Sequence, residues 1–260
     1  MTQLHAPKEV KRLTKRSREK MTKKLWIALQ ASWDWTCDAA ADREKAYVVR
    51  PEIHNPIDAT QLEDLRQIVG HALPTEFERV LCKFASKVSF SWSFDIRARS
   101  KSGRTQETIV SSPPEWIDDC LMGGGDLWDI AYIERAAKDA KESEGIAEWL
   151  QFSENRFALL PFIEVPNGDA IAFDMRGGEH YCPIVYLSHD DYDLYDVKIG
   201  ENFVDFLANW SSVGCVGPDF YCFKPFYKKW CSKLIGSSRK AKSWRKFMGM
   251  ETDANAANSP

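Results

Sequence analysis

His189-Asp190-Asp191-Tyr192-Asp193 packs one imidazole and three carboxylates into five residues. That composition suits a hard cation held by oxygen ligands, or a histidine tuned by a carboxylate for proton transfer. The run lacks the glycine and distal glutamate of a helix-loop-helix calcium loop, so an acidic, solvated turn is the simpler reading. His180 and Cys182 stand two apart. On a strand they would share a face, as metal ligands can, but a third and fourth ligand are missing. Asp169 and Asp174 flank a hairpin in "LLPFIEVPNGDAIAFDM". No His, Lys or Arg is placed by sequence to tune either into a general base, so Asp169 reads as a turn residue and Asp174 as a strand end.

The remaining chemistry is sparse. The seven cysteines, an odd number, show no C-x-x-C pair, which argues against a disulfide framework and a structural zinc site. Several sit in apolar surroundings such as "VLCKF" and "YCPIVYL", as buried thiols do. Gly123-Gly124-Gly125 is not followed by phosphate-binding signals and reads as a flexible turn. No P-loop, dinucleotide fingerprint, nucleophile elbow or H-E-x-x-H is present. The expectation is a protein without catalytic residues, metal or cofactor.

The elements that would position these residues alternate between helix and strand. A basic amphipathic helix is expected over 8–33, with Val10, Leu13, Met21, Leu25 and Leu29 on its apolar stripe. Residues 30–54 stay ambiguous apart from a short strand at 47–50. "DATQLEDLRQIVG" offers a capping box of Thr60 with Glu63, a buried face of Leu62, Leu65, Ile68 and Val69, and a stop at Gly70. "ALPTEFERVLCKFAS" places Pro74 near a first helical turn. "KVSFSWSFDIR" alternates strictly and reads as a strand with one wet face. "PPEWIDDCLM" suggests a short helix, "GGGDLWDI" a turn into a short strand, and "AYIERAAKDAKESEGIAEWL" helix.

Asn167-Gly168 is the strongest hairpin signal in the chain, because a tight turn requires positive φ. "CPIVYLS" and "LYDVKIG" extend that hairpin into an antiparallel meander, closed by the helix "ENFVDFLANWSSVG". Further on, Phe223, Phe226, Tyr227, Trp230 and Leu234 recur at helical spacing, which predicts an amphipathic helix docked on the body with its lysines outside. The terminal "DANAANSP" reads as disordered.

Charge is divided unevenly. Residues 1–25 hold nine Lys/Arg against two Asp/Glu, and residues 221–250 hold nine against none. With a net charge of −3 for the chain, and −2 in its last ten residues, the span 26–220 carries −17. Such an acidic body attracts basic partners and repels nucleic acid. The segment 221–250 interleaves aromatics with lysines and leaves nucleic-acid binding open as an alternative. No run of 18 apolar residues occurs, and Leu25 to Leu29 is too short for a signal-peptide core, so the expected location is cytoplasmic.

The order "LPTEFERVL", "NRFALLPFIEVPNGDAIAFDM", "CPIVYLSHDD", "ENFVDFLANW" resembles the SUKH superfamily, whose founding group includes the yeast cell-wall-assembly regulator. The resemblance covers about residues 57–212. The chain departs from it in lacking the Asn-Gly turn after the Leu-Pro helix, in a longer 98–150 region and in both basic ends.

It implies a single α+β domain over 55–219, an antiparallel or mixed sheet packed with helices, with extensions at 1–54 and 220–260. It also implies a non-catalytic immunity-type protein that neutralises a cognate bacterial toxin, in many cases a nuclease, or else a scaffold module of the same fold. A nuclease carries a basic cleft for phosphate, which an acidic surface can occupy. The expected contacts are therefore Asn167, Asp169, Asp190, Asp191, Tyr192 and Asp193, with Tyr192 as the aromatic anchor.

Overall fold

The computed structural model describes residues 20–70, 72–95, 120–142 and 159–249. The first described helix, α1 (Lys23–Ala41), begins at a Thr22 side chain that accepts from the Leu25 N–H at 3.2 Å. Residues 8–19 of the basic helix expected over 8–33 lie outside the described residues, and α1 runs eight residues past its expected end. The apolar stripe simply continues: Leu25, Leu29, Trp33, Cys37 and Ala40 are all buried at spacings of three or four.

Strand β1 (Tyr47–Ile53) follows, then α2 (Ala59–Val69) and α3 (Thr75–Lys83). The capping box on α2 is made by Asp58 and Gln61, not by Thr60 and Glu63. Gln61 N–H donates to Asp58 Oδ1 at 2.8 Å, and Asp58 N–H donates to Gln61 Oε1 at 3.0 Å. Gly70 ends α2 at φ +83°, as its position predicts.

Strands β1, β2 (Lys87–Asp95) and β3 (Cys120–Asp129) form an antiparallel sheet in that order. In β2, Val88, Phe90, Trp92 and Phe94 are buried and the serines between them half-buried, which is the predicted alternation. The triple glycine is not the expected turn: it lies inside β3, paired with Trp92, Ser91 and Phe90. The residue across the sheet supplies the reason, since a Cβ on Gly123 would lie 2.5 Å from the Trp92 ring. The predicted helix at "PPEWIDDCLM" is partly outside the described residues, and its last three residues belong to β3. Helix α4 (Ile130–Glu142) follows directly.

The meander forms as expected. Strands β4 (Leu159–Glu164), β5 (Ala170–Asp174), β6 (Ile184–Leu187) and β7 (Val197–Gly200) pair antiparallel in sequence order. Asn202 caps α5 (Phe203–Ser211) by accepting from Asp205 N–H at 2.9 Å. Phe77 of α3, Phe162 of β4, Phe173 of β5 and Phe203 of α5 meet with ring centroids 4.4–6.1 Å apart. Trp128 joins this cluster to the first sheet, 5.4 Å from Phe203, 6.1 Å from Trp26 and 6.5 Å from Trp33. The fold is α+β, with antiparallel sheets sharing one aromatic core.

The C-terminal segment corrects the expected long amphipathic helix. It is divided into a short α6 (Phe220–Phe223), a 3₁₀ turn, a hairpin of β8 (Tyr227–Lys228) and β9 (Lys233–Leu234), and α7 (Arg239–Phe247). Pro225 lacks the N–H a continuous helix needs, and Ser232 adopts a left-handed φ of +48°. Phe223, Phe226 and Leu234 are buried, whereas Trp230 is 83% exposed. Docking on the body is largely aromatic. Trp244 stacks near Trp92 at 6.5 Å and donates its indole N–H to Val213 O at 2.9 Å. Arg43 is buried between the Phe94 and Phe247 rings, 5.3 and 4.9 Å away, and donates to Phe247 O at 2.6 Å.

Candidate functional site

The β4–β5 turn and the loop after β6 meet because antiparallel register leaves them no choice. Ala170 faces Leu187 across β5 and β6, so Asp169 arrives beside His189. Gly168, at φ +95°, lets the turn close with its N–H on Val165 O at 2.9 Å. Asn167 Oδ1 accepts from the Asp169 N–H at 3.0 Å, turning the Asp169 side chain inward.

Asp169 is buried beneath the surface expected to bear it. Its Oδ1 accepts from the His189 backbone N–H at 2.8 Å and faces His189 Nδ1 at 2.7 Å. Its Oδ2 accepts from the Tyr186 hydroxyl and from Asn167 Nδ2 at 2.9 Å. Burial alone would push this carboxyl up. The bonds from Tyr186, His189 and Asn167 outweigh it and hold Asp169 below the usual carboxylate range. Burial, reinforced by the bond to Asp169, raises the Tyr186 phenol. Asn167, exposed at the rim, also donates to Asp219 Oδ2 at 3.0 Å, tying the hairpin to α6.

Above this pillar stands the acidic loop. Ser188 Oγ donates to Asp190 Oδ1 at 3.1 Å and accepts from the Asp191 N–H at 3.1 Å. Asp191 Oδ1 caps the 3₁₀ turn Tyr192–Leu194 by accepting from the Asp193 N–H at 3.0 Å. Its Oδ2 accepts from the Tyr221 hydroxyl at 3.3 Å, and the Asp191 charge raises that phenol's pKa. Asp190, Tyr192 and Asp193 are exposed and Asp191 half-exposed. With Asn167 and Tyr221 they line an open groove of ≈530 Å³. Nothing in the sequence marks Tyr221 as part of this rim, because it stands in the basic end, far along the chain from the acidic loop. Five of the six expected contact residues thus reach one rim, and the sixth holds it up from below. Three carboxylates between two exposed tyrosine rings form a surface complementary to lysine and arginine side chains.

Asp169, His189 and Asp190 can bring one ligand atom each within 4.8 Å of one another. They make a poor metal site, because both Asp169 oxygens and His189 Nδ1 are already committed to the bonds above. His180 and Cys182, whose spacing would put them on one face of a strand, are not brought together. The chain between them is not a strand. His180 Nδ1 faces Thr75 Oγ1 at 2.9 Å, while Cys182 Sγ donates to Gly178 O at 3.1 Å. Burial pushes the Cys182 thiol up to about 11, the wrong direction for a nucleophile or a metal ligand.

Asp174, read as a strand end, does have a tuning partner two residues on. Arg176 grips it through Nε at 2.7 Å and Nη2 at 2.8 Å, and reaches Asp196 at 2.7 Å. Burial raises the Asp174 carboxyl, but Arg176 prevails and lowers it. A second groove, of ≈560 Å³, runs past Glu63, Arg66, Thr75, Glu78 and Glu179. Its one guanidinium is spent internally: Arg66 pairs bidentately with Glu78 at 2.8 Å and 2.8 Å.

Residues 56–209, more than half of the chain, match the family model described as SMI1 / KNR4 family (SUKH-1). No curated protein matches the chain, and no solved structure does.

Proposed function

The chain belongs to the SMI1/KNR4 family (SUKH-1), and on that premise we propose that it is a non-catalytic, immunity-type protein that binds and neutralises a basic bacterial toxin. SUKH domains resemble immunity proteins in polymorphic toxin systems, and a toxin that cuts nucleic acid must present cations to phosphate. The observation that carries the reading is the groove itself. Asp190, Asp191, Tyr192 and Asp193 share a loop fixed from beneath by Asp169, and exposed Tyr221 of α6 lines the same groove. A preorganised loop loses little entropy on docking, and complementary charge raises the encounter rate by orders of magnitude at low salt. Asn167, Asp190, Asp191, Tyr192 and Asp193 are the proposed contacts, with Tyr221 beside them.

The test is co-expression with the product of the adjacent gene, scored as rescue from toxicity. Wild type should rescue. The triple change Asp190→Lys, Asp191→Lys, Asp193→Lys should abolish rescue and slow association at least about tenfold at low salt. Rescue that survives charge reversal would remove this groove from the interface. A non-toxic partner recovered by pull-down through the same residues would instead make the chain a scaffold module of the same fold.

A further inference from the structure

Trp230 is the most exposed large apolar side chain among the described residues, at 83%. It stands at the tip of the β8–β9 hairpin, in the 3₁₀ turn Lys229–Cys231. The tip is braced from behind. Ile235 N–H donates to Phe226 O at 3.0 Å, buried Phe226 packs 6.4 Å from Trp244, and Lys233 pairs with Asp205 at 3.2 Å. Ser232 holds the return bend in the left-handed region. The ring is therefore held out into solvent by a rigid mount.

Lys228 and Lys229 flank the ring, and neither makes an ion pair with a described residue. Lys224, Arg239, Lys242 and Lys246 are exposed on the same C-terminal segment, which contains no Asp or Glu between 220 and 249. We propose that this hairpin docks peripherally on an anionic phospholipid bilayer, with the Trp230 indole seated among the headgroups and Lys228 and Lys229 against lipid phosphates and carboxylates. An amphipathic ring in front with cations just behind is the arrangement a membrane interface accepts. The body reaches the base of the hairpin, where Asp205 pairs with Lys233, but leaves Lys228 and Lys229 without an ion pair among the described residues, and screening confines its remaining charge to about 8–10 Å at physiological salt.

A single-stranded nucleic acid fits less well. It needs an electropositive trough with successive ring platforms. Here one ring projects from a tip, and Tyr221, the other exposed ring of the segment, lines the acidic groove and is bonded to Asp191, with Lys224 Nζ 5.3 Å from its ring centroid. The two grooves described above lie elsewhere and are rimmed by carboxylates. Among the described residues no helix is long and apolar enough to cross a membrane, so the contact is interfacial.

The test is cosedimentation of the full chain with phosphatidylcholine vesicles, with and without phosphatidylserine. The expected result is binding only with phosphatidylserine, weakening as salt rises. Trp230→Ala should reduce partitioning at least about tenfold, and Lys228→Gln with Lys229→Gln roughly 25-fold, about fivefold per charge. Lys229 and Trp230 are exposed and half-buried Lys228 makes no ion pair with a described residue, so unchanged thermal melts should accompany the loss. The triple Asp190, Asp191 and Asp193 reversal should keep vesicle binding, which separates this contact from toxin recognition. No binding, or binding that the Trp230 and lysine variants retain, overturns the proposal. Trp230-dependent capture of a single-stranded oligonucleotide without vesicle binding overturns it too, and assigns the tip to nucleic acid.

Discussion

Asp169 and Asp190 carry the same carboxylate in the same loop cluster, yet their substitution should differ in cost by more than an order of magnitude in the folding equilibrium. Asp169 accepts from four donors, one of them the buried Tyr186 hydroxyl. In Asp169→Asn the best orientation keeps oxygen toward the His189 N–H and turns the amide toward Tyr186, whose hydroxyl can rotate to accept. Asn167 Nδ2 then loses this partner but keeps Asp219. All four charge-assisted bonds become neutral, reverse or vanish, at about 1 kcal/mol each, partly offset by no longer burying a charge, for a net cost of about 2 kcal/mol. Asp169→Ala leaves the Tyr186 hydroxyl and the His189 N–H without their acceptor and should cost about 3–5 kcal/mol.

Asp190→Asn changes a side chain that is 73% exposed and should stay within about 0.5 kcal/mol of wild type. Urea denaturation at neutral pH reads the three values directly. The pH dependence adds a second check. The folded-state pKa of Asp169 lies below its unfolded value of about 4, so its contribution is complete above that value and fades as pH falls through the folded one. The gap between wild type and Asp169→Asn should therefore close in acid. If Asp169→Asn lies within about 0.5 kcal/mol of wild type, or Asp190→Asn matches its cost, the pillar described here does not exist.

Gly123→Ala places a methyl 2.5 Å from the Trp92 ring and should lower stability by about 1–3 kcal/mol, read as a shift of the thermal midpoint. Arg43→Ala removes the cation between Phe94 and Phe247 together with its bond to Phe247 O. It should cost about 2–4 kcal/mol, and Arg43→Met should recover part of that by refilling the space. Burial pushes the thiols of Cys37 and Cys182 up to about 11, so at pH 8 a disulfide reagent should spare both until denaturant is added, while half-exposed Cys231 reacts in the folded state. Mass mapping of the labelled peptides checks the order.

Where the sequence was informative, the signal was local. Strict alternation placed β2, and Asn167-Gly168 placed the hairpin, because one residue's φ decides such a turn. It failed where a distant residue decides. The glycines of β3 look like a turn until Trp92 is set opposite them. Two overlapping capping boxes compete at the start of α2, and the buried Ile57, whose N–H donates to Leu81 O at 3.0 Å, fixes the chain so that Asp58 becomes the cap. In the C-terminal segment a helical spacing of aromatics was read through Pro225, and the proline prevailed. The site was legible as a loop of acids. That Asp169 lies under it became visible only through the register of β5 against β6, and Tyr221 joins the rim through tertiary packing.

Ser211 sits two residues beyond the stretch that defines the family, and it holds the amino-terminal helix. Its hydroxyl accepts from the Trp33 indole at 2.9 Å, and its carbonyl accepts from Ser32 at 3.1 Å. Just after it, Gly214 O receives the Trp92 indole N–H at 2.9 Å, and Cys215 O receives the Gly124 N–H at 2.7 Å. A fragment trimmed to the matched stretch, 56–209, would lose Trp33 and Ser211 together, strip Trp26 and Trp33 from Trp128 and Trp244 from Trp92, and so invite aggregation. In this protein the stretch that marks the family is smaller than the mechanical unit, and its flanks serve as the keystone of the arch.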